Sequence, residues 1–330
     1  MSRNASQMSL RGSSGKTKRS TGRQHMSTSP APARARNSGS WRASLGQRAL
    51  SAAVLIPIII ALVWFGGWIA FAGATLALGI GLYELYRMYA HKGWYPPMLL
   101  SAALSLEFLV VATLWHEHVS PLALAVAVML GISVVVLGSF AWVILTRKTL
   151  DGAILDWALT IATPFYLGFP LGFFLLLRGN EAGANNTGFA WLLALFFMVW
   201  ANDTFALLTG HYFGQHKLSP RISPGKTWEG FAGGLVFTVI AAFVFTMGIP
   251  RLFNLPLDVT WYDAVTLGIL VAVASTIGDL AESLLKRGTG VKDSGTIVPG
   301  HGGILDRMDS LLFAVVIVFF YAVFLHSLPM

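Results

Sequence analysis

The chain contains no cysteine. That excludes disulfide scaffolds, thiolate zinc sites, cysteine nucleophiles and cysteine-ligated clusters. Charge is also scarce: 12% of the 330 residues are Asp, Glu, Lys or Arg, against roughly 25% in an average soluble domain. Acids are absent from the start of the chain, the first being Glu84. With 55% apolar residues and a mean hydropathy of +0.65, neither a water-soluble globular enzyme nor a wholly disordered chain fits.

What charge there is lies unevenly. Residues 1–50 carry ten Lys or Arg and no acid, leaving 13 basic against 15 acidic residues in the remainder, so the net +8 belongs to the tail. Ser27–Arg36 typifies that tail: rich in Ser, Pro, Ala and Arg, without hydrophobic periodicity, and too polar to offset the entropy of ordering. Residues 1–48 are expected to be a disordered basic extension near anionic lipid headgroups. An organellar transit peptide is the alternative, being likewise Arg- and Ser-rich and acid-poor. A secretory signal does not fit, because the basic region before Ala49 is far longer than an n-region.

Beyond the tail, apolar segments recur at about 49–65, 68–90, 98–115, 121–145, 154–177, 188–210, 229–249, 260–284 and 310–327. Most are long enough to cross a hydrocarbon core of roughly 30 Å at about 1.5 Å per residue. They run continuously rather than alternating, which argues against a β-barrel. The expected fold is an all-α polytopic integral membrane protein with about nine transmembrane helices.

With the N-terminus in the cytoplasm, Arg87, Lys92, Arg147, Lys148, Lys217, Arg221, Lys226, Lys286, Arg287, Lys292 and Arg307 fall inside, and only Arg178 and Arg251 outside. Counting the tail, 21 of 23 basic residues are cytoplasmic, as the positive-inside rule requires. The expected location is the cytoplasmic (inner) membrane. Residues 49–185 read as scaffold helices with few polar groups. Residues 186–330 read as a catalytic region whose two inside loops, 211–228 and 285–307, face the cytoplasm.

The chemistry concentrates in that second half. Asp279 and Glu282 are three apart and share a helix face; Asp306 and Asp309 do the same where the last helix begins. Acids near the inner end of a membrane helix are costly unless paired or bound to an ion. Two acidic pairs flanking one loop can meet, and clustered carboxylates suit a hard divalent cation such as Mg²⁺. On spacing alone, ion pairs with Arg287 and Arg307, or a helix N-terminal charge for Asp306, stay open beside the metal. The intervening stretch, SLLKRGTGVKDSGTIVPGHGGILDRMD over Ser283–Asp309, holds six glycines, His301 and four basic residues. Glycine lets backbone N–H groups approach phosphate, and the cations balance its charge.

The other loop, Gly210–Glu229, contains Gly225-Lys226-Thr227, which ends like a P-loop. Pro220 stands where the earlier glycine is required, so it is not one. Lys217, Arg221 and Lys226 can still grip a polyphosphate. Asn202 and Asp203 lie inside the preceding helix, where a buried hydrogen-bonded contact between helices is the alternative to a binding role. His116-Glu117-His118 reads as a solvated outside loop. Gly230–Gly234 and Gly168–Gly172 are GxxxG pairs that mark close helix packing, and Pro164 and Pro170 should kink the fifth helix.

Ser283, Lys286-Arg287, Lys292-Asp293, Gly295, Pro299, His301-Gly302-Gly303, Asp306-Arg307 and Asp309, at this spacing, strongly resemble the signature of the phosphatidate cytidylyltransferase (CDP-diacylglycerol synthase) family. Asn202-Asp203 and Ser219–Glu229 resemble its second block. Together they span roughly the last 130 residues. Val298 departs slightly from the pattern, and the basic tail is no family feature. The resemblance implies transfer of a cytidylyl group from CTP to phosphatidate, giving CDP-diacylglycerol and pyrophosphate. It further implies a Mg²⁺-dependent, often dimeric membrane enzyme with no nucleic-acid partner; a monovalent ion beside the metal stays open.

On this basis Lys286, Arg287, Lys292, Asp293, His301 and Arg307 are expected to be catalytic. Asn202, Asp203, Lys217, Ser219, Arg221, Ser223, Lys226 and Ser283 are expected to bind substrate, and Asp279, Asp306 and Asp309 to hold the metal. The rival readings are a CTP-dependent lipid-alcohol kinase and, in a different class, an ion-coupled secondary transporter.

Overall fold

The computed structural model describes residues 56–117, 119–180, 183, 187–253, 257, 259–295 and 302–326. The basic tail, His118, Pro299 and His301 lie outside the described residues. The helices are α1 Ile56–Phe65, α2 Gly67–His91, α3 Met98–Leu114, α4 Pro121–Thr146, α5 Ala153–Arg178, α6 Thr187–Phe213, α7 Trp228–Leu252, α8 Trp261–Thr289 and α9 Leu305–His326. Among the described residues, six of these (α2 and α4 to α8) are long and apolar enough to cross a bilayer. The apolar helices α1 and α3 are shorter, and α9 opens on Asp306, Arg307 and Asp309.

The all-α expectation holds for the membrane helices, with one addition in a loop. The 211–228 loop folds into an antiparallel hairpin of β1 (Lys217–Ser219) and β2 (Ser223–Thr227), pairing Lys217 with Thr227 and Ser219 with Ser223. Pro224 is tolerated in β2 because a two-stranded ribbon has only edges.

Two departures from regular helix have one cause. A widened π-turn at Pro164–Gly168 interrupts α5, and another at Phe243–Gly248 interrupts α7. Each lies just upstream of a proline, Pro170 or Pro250, whose ring clashes with the carbonyl four residues back. The first was expected as a kink; the second was not.

Two apolar clusters share one helix. Leu82 and Leu85 of α2, Leu109 of α3, Leu167 of α5 and Leu312 of α9 pack together. Trp191, Leu195 and Met198 of α6, Val271 of α8 and Val318 of α9 form the other cluster. α9 therefore belongs to both. In contrast, α4 leaves Leu122, Met129, Leu137, Ile144 and Leu145 exposed. Such a surface aggregates in water but needs no cover in lipid.

Lipid gives no hydrophobic drive for helices to associate, so small residues and hydrogen bonds must do it. Both GxxxG pairs serve this way: Gly230 and Gly234 lie against Ala206 and Asn202 of α6, and Gly168 and Gly172 against Ser105 and Phe108 of α3. Hydroxyls of Ser105, Thr113, Thr160, Thr238 and Thr246 donate to carbonyls four residues back, which satisfies them without water.

Where α1 meets α2, Arg178 is fully buried. Its guanidinium donates to the carbonyls of Val63 and Trp64 at the end of α1, and it packs on Gly66, whose φ of 63° makes the turn into α2. One of the two "outside" cations is thus a helix cap. Nor is the His116 turn simply solvated: His116 Nε2 lies 3.2 Å from the Leu176 carbonyl, and Asn180 Nδ2 donates to Glu117 Oε1 at 2.8 Å. Burial holds the His116 imidazole below its ordinary pKa.

Candidate active site

The acids are placed by two helices that are longer than their apolar segments. A Thr260–Asp263 capping box opens α8, with Thr260 N donating to Asp263 Oδ2 at 3.0 Å. Beyond its apolar core α8 continues through Lys286 and Arg287, cations that suit a helix C-terminus, and stops at left-handed Gly290, φ 81°. Asp279, Glu282, Ser283 and Lys286 therefore line one face. Starting at Leu305, α9 carries Asp306 and Asp309 in its first turns. The two helices touch at this level: a Cβ on Gly278 would meet the backbone carbonyl of Asp309.

The acidic pairs do meet, but regrouped. One group is a buried triad. Lys286 Nζ sits 2.6 Å from Asp306 Oδ1 and also pairs with Glu282, which is 1% exposed. The other oxygen of Asp306 accepts from Ser294 N (3.2 Å) and Gly303 N (2.9 Å), with Ser294 Oγ 3.0 Å away.

The second group is a junction of three helices. Asp203 of α6, Asp279 of α8 and Asp309 of α9 lie close enough to repel one another. Lys226 of β2 answers this charge, 2.7 Å from Asp279 Oδ2. The Ser310 amide donates to Asp309 Oδ1 at 2.7 Å, while Ser283 Oγ is 3.5 Å from Asp279. The cations paired with the acids are thus Lys286 and Lys226, not Arg287 and Arg307.

The hairpin and the end of α8 converge over this junction. Arg287 Nε donates to the Ile222 carbonyl and Lys226 Nζ to the Thr276 carbonyl, each at 3.5 Å. Glu229 holds the base of the hairpin, accepting from Gln215 N (3.1 Å) and His216 Nδ1 (2.6 Å), and Thr227 caps α7. Lys217, Arg221, Arg287, Lys292, Asp293 and Arg307 are exposed, and Ser219 and Ser223 are half-buried in the hairpin. Asn202 is buried instead where α6 faces α7, its Oδ1 3.4 Å from Thr238 Oγ1.

A divalent cation fits this arrangement in one way. Among the described residues no three His, Asp or Glu side chains are grouped tightly enough to hold a metal alone. Both oxygens of Asp306 are taken. Asp309 and Asp279, the latter with Lys226 on its Oδ2, are the other carboxylates at hand, and Mg²⁺ is commonly bound by one or two carboxylates plus waters and substrate phosphates. The site suits an ion that arrives with a polyphosphate.

Three participants escaped the sequence reading. Glu84 of α2 is 1% exposed and accepts from Ser294 Oγ (3.1 Å), Ile304 N (3.0 Å) and Leu305 N (3.0 Å). Ser294 thereby joins Glu84 to Asp306. Tyr166, on the widened turn of α5, lies beside Glu282, Asp306 and Asp309. The signal for Glu84 was present: an acid within an apolar helix is rarely idle. Nothing local marked Ser294 or Tyr166.

The sequence model of the cytidylyltransferase family matches residues 46–325. A phosphatidate cytidylyltransferase of Staphylococcus haemolyticus is 33% identical over 266 residues, covering 81% of this chain and 94% of the relative. One from Synechocystis is 33% identical over 301 residues, covering 84% and 97%. A third, from Haemophilus influenzae, is 44% identical over a shorter stretch of 124 residues, covering 38% and 42%. With the match running through every described helix, the chain belongs to the cytidylyltransferase family.

Proposed function

We propose that the protein is a phosphatidate cytidylyltransferase, converting CTP and phosphatidate to CDP-diacylglycerol and pyrophosphate at the cytoplasmic face of the membrane. The observation that carries this is the junction of Asp203, Asp279 and Asp309 from three helices beneath a cationic hairpin. The names of the relatives support the substrate pair.

A phosphate monoester has a second pKa near about 6, so the attacking oxygen of phosphatidate is already largely ionised at neutral pH and needs no dedicated base. It forms a bond to the α-phosphorus of CTP as the bond to pyrophosphate breaks, and the electron pair leaves with pyrophosphate. The obstacle is repulsion between two anions. Exposed Lys217, Arg221, Arg287 and Lys292 bind polyphosphate oxygens, with Lys226 closing from the hairpin. Asp279 and Asp309 would hold Mg²⁺, which neutralises the phosphates and the departing group when bound. Asp306 acts at one remove, orienting Lys286. An apolar cavity of about 380 Å³ lined by Phe165, Tyr166, Ile277 and Phe313 would give an acyl chain a place.

The test is incubation of purified protein with labelled CTP, phosphatidate and Mg²⁺, followed by lipid extraction. Labelled CDP-lipid and stoichiometric pyrophosphate are expected. Phosphorylated lipid with free CDP would instead assign a kinase. Lys148→Ala, on the loop between α4 and α5, should leave the rate unchanged.

A further inference from the structure

The buried carboxylate of Glu84 lies in a helix that the reaction as described does not use. It is separated by 210 residues from Ser294 and by 221 from Leu305, yet bonds to both. A carboxylate this deep is strongly disfavoured unless its lone pairs are filled. Here the donors are two backbone amides at the start of α9, Ile304 N and Leu305 N, and the Ser294 hydroxyl. The first amides of any helix lack intrahelical partners. α9 therefore takes its cap from another helix, and α2 fixes where α9 begins.

The surroundings are built to this carboxylate. A Cβ on Gly295 would come within 2.5 Å of Glu84 Oε1, and one on Gly303 would collide with Glu84 Oε2 and Ser294 Oγ. Gly295 and Gly303 thus close on Glu84 from both sides. Ser294 is 6% exposed and touches Glu84 and Asp306 together. The chain of contacts runs Glu84, Ser294, Asp306, Lys286, and Asp309 stands one turn further along α9.

We infer that Glu84 is a positioning residue of the cytidylyl-transfer site: it sets the register of α9, and with it the Asp306–Lys286 pair and Asp309, against α8. This rests on the activity proposed above. The first five helices are then part of the catalytic apparatus rather than a passive scaffold. The chemistry of the clasp is specific to a carboxylate. Gln would turn a donor toward Leu305 N or Ile304 N, whereas Asp keeps two acceptors but falls one methylene short.

The experiment compares wild type with Glu84→Gln, Glu84→Asp and Ser294→Ala, purified in detergent, measuring kcat, KM for CTP and for phosphatidate, and the thermal midpoint. For Glu84→Gln the expected loss in kcat per folded molecule is about 10- to 100-fold, the usual effect of removing an orienting partner, with both KM values within about threefold. Glu84→Asp should recover part of the loss. Ser294→Ala should lower kcat alone and add little in the Glu84→Gln background, since both break one linkage. A normal kcat per folded molecule in Glu84→Gln, or a loss that tracks only the thermal midpoint, overturns the inference. If Glu84→Gln does not accumulate, Ser294→Ala decides: an unchanged kcat overturns it. A wild-type protein that makes no CDP-lipid would instead sink the proposed activity, independently of Glu84.

Discussion

Lys286 answers two buried carboxylates at once, Glu282 and Asp306, and this sets what each substitution should do. Lys286→Met leaves both acids without their cation, and removing one partner of a buried ionic group typically costs about 3–5 kcal/mol. Thermal unfolding in detergent should show a large drop, and a smaller one for Glu282→Gln, because Lys286 keeps Asp306. The junction acids behave differently. The Asp279 side chain is 35% exposed and bears little of the packing, so Asp279→Asn should fold normally. Its pyrophosphate release should fall by about 100-fold or more, the scale of several kcal/mol lost from metal-assisted catalysis. Asp306→Asn should lose both activity and stability, since its oxygens hold Lys286, Ser294 and Gly303. A folded, fully active Asp279→Asn enzyme would remove the metal role of that residue. At this scale the sequence was informative about which types of residue matter and silent about pairing. Spacing put Asp279 with Glu282 and Asp306 with Asp309, whereas Lys286 and Lys226 re-sorted them across helices.

At the scale of elements, the helices were legible because apolar runs and punctuation agree. Pro121 opens α4 and Gly290 closes α8, each where a start or stop signal belongs. The ends of α8 and α9 were drawn short because hydropathy fades at Lys286 and Asp306 while the helical hydrogen bonding does not. The hairpin was missed because SPRISPGKTWE lacks alternation over a usable length. Close packing gives a quantitative check. A Cβ on Gly168 would lie 2.5 Å from Ser105 Cα, whereas one on Gly138 meets nothing nearer than Leu100 at 3.9 Å. Gly168→Ala should therefore cost about 1–3 kcal/mol by overpacking and Gly138→Ala nothing measurable, as read from paired melting curves. At the start of α5, Asp156, 1% exposed, pairs with Arg147 and accepts from Tyr95 N at 3.0 Å. It ties the α4–α5 turn to the segment before α3. Asp156→Asn should loosen that tie, seen as faster proteolysis at the 147–152 turn with activity largely kept.

For the whole molecule, the absence of cysteine is an experimental advantage, because any introduced thiol is the only one. If the N-terminus is cytoplasmic, Arg221→Cys on the hairpin should react with a membrane-impermeant maleimide only from the cytoplasmic side, and Arg251→Cys only from the opposite side. Labelling of both from one side would contradict the proposed orientation. The global arrangement also explains how distant segments act as one site. α9 belongs to both apolar clusters, so its position is set by α2 on one flank and by α6 and α8 on the other.

Composition and periodicity were enough to settle that this chain is a helical membrane protein, because burying uninterrupted apolar runs leaves the backbone few other ways to satisfy its hydrogen bonds. The motif at Ser283–Asp309 was enough to point to phosphate chemistry, because acids, cations and glycines at such spacing answer a polyphosphate. Which acid pairs with which cation, and that an acid in α2 caps α9, came only from the folded chain. Those relations join residues up to 221 positions apart, and no local pattern encodes a contact made by helices crossing in three dimensions.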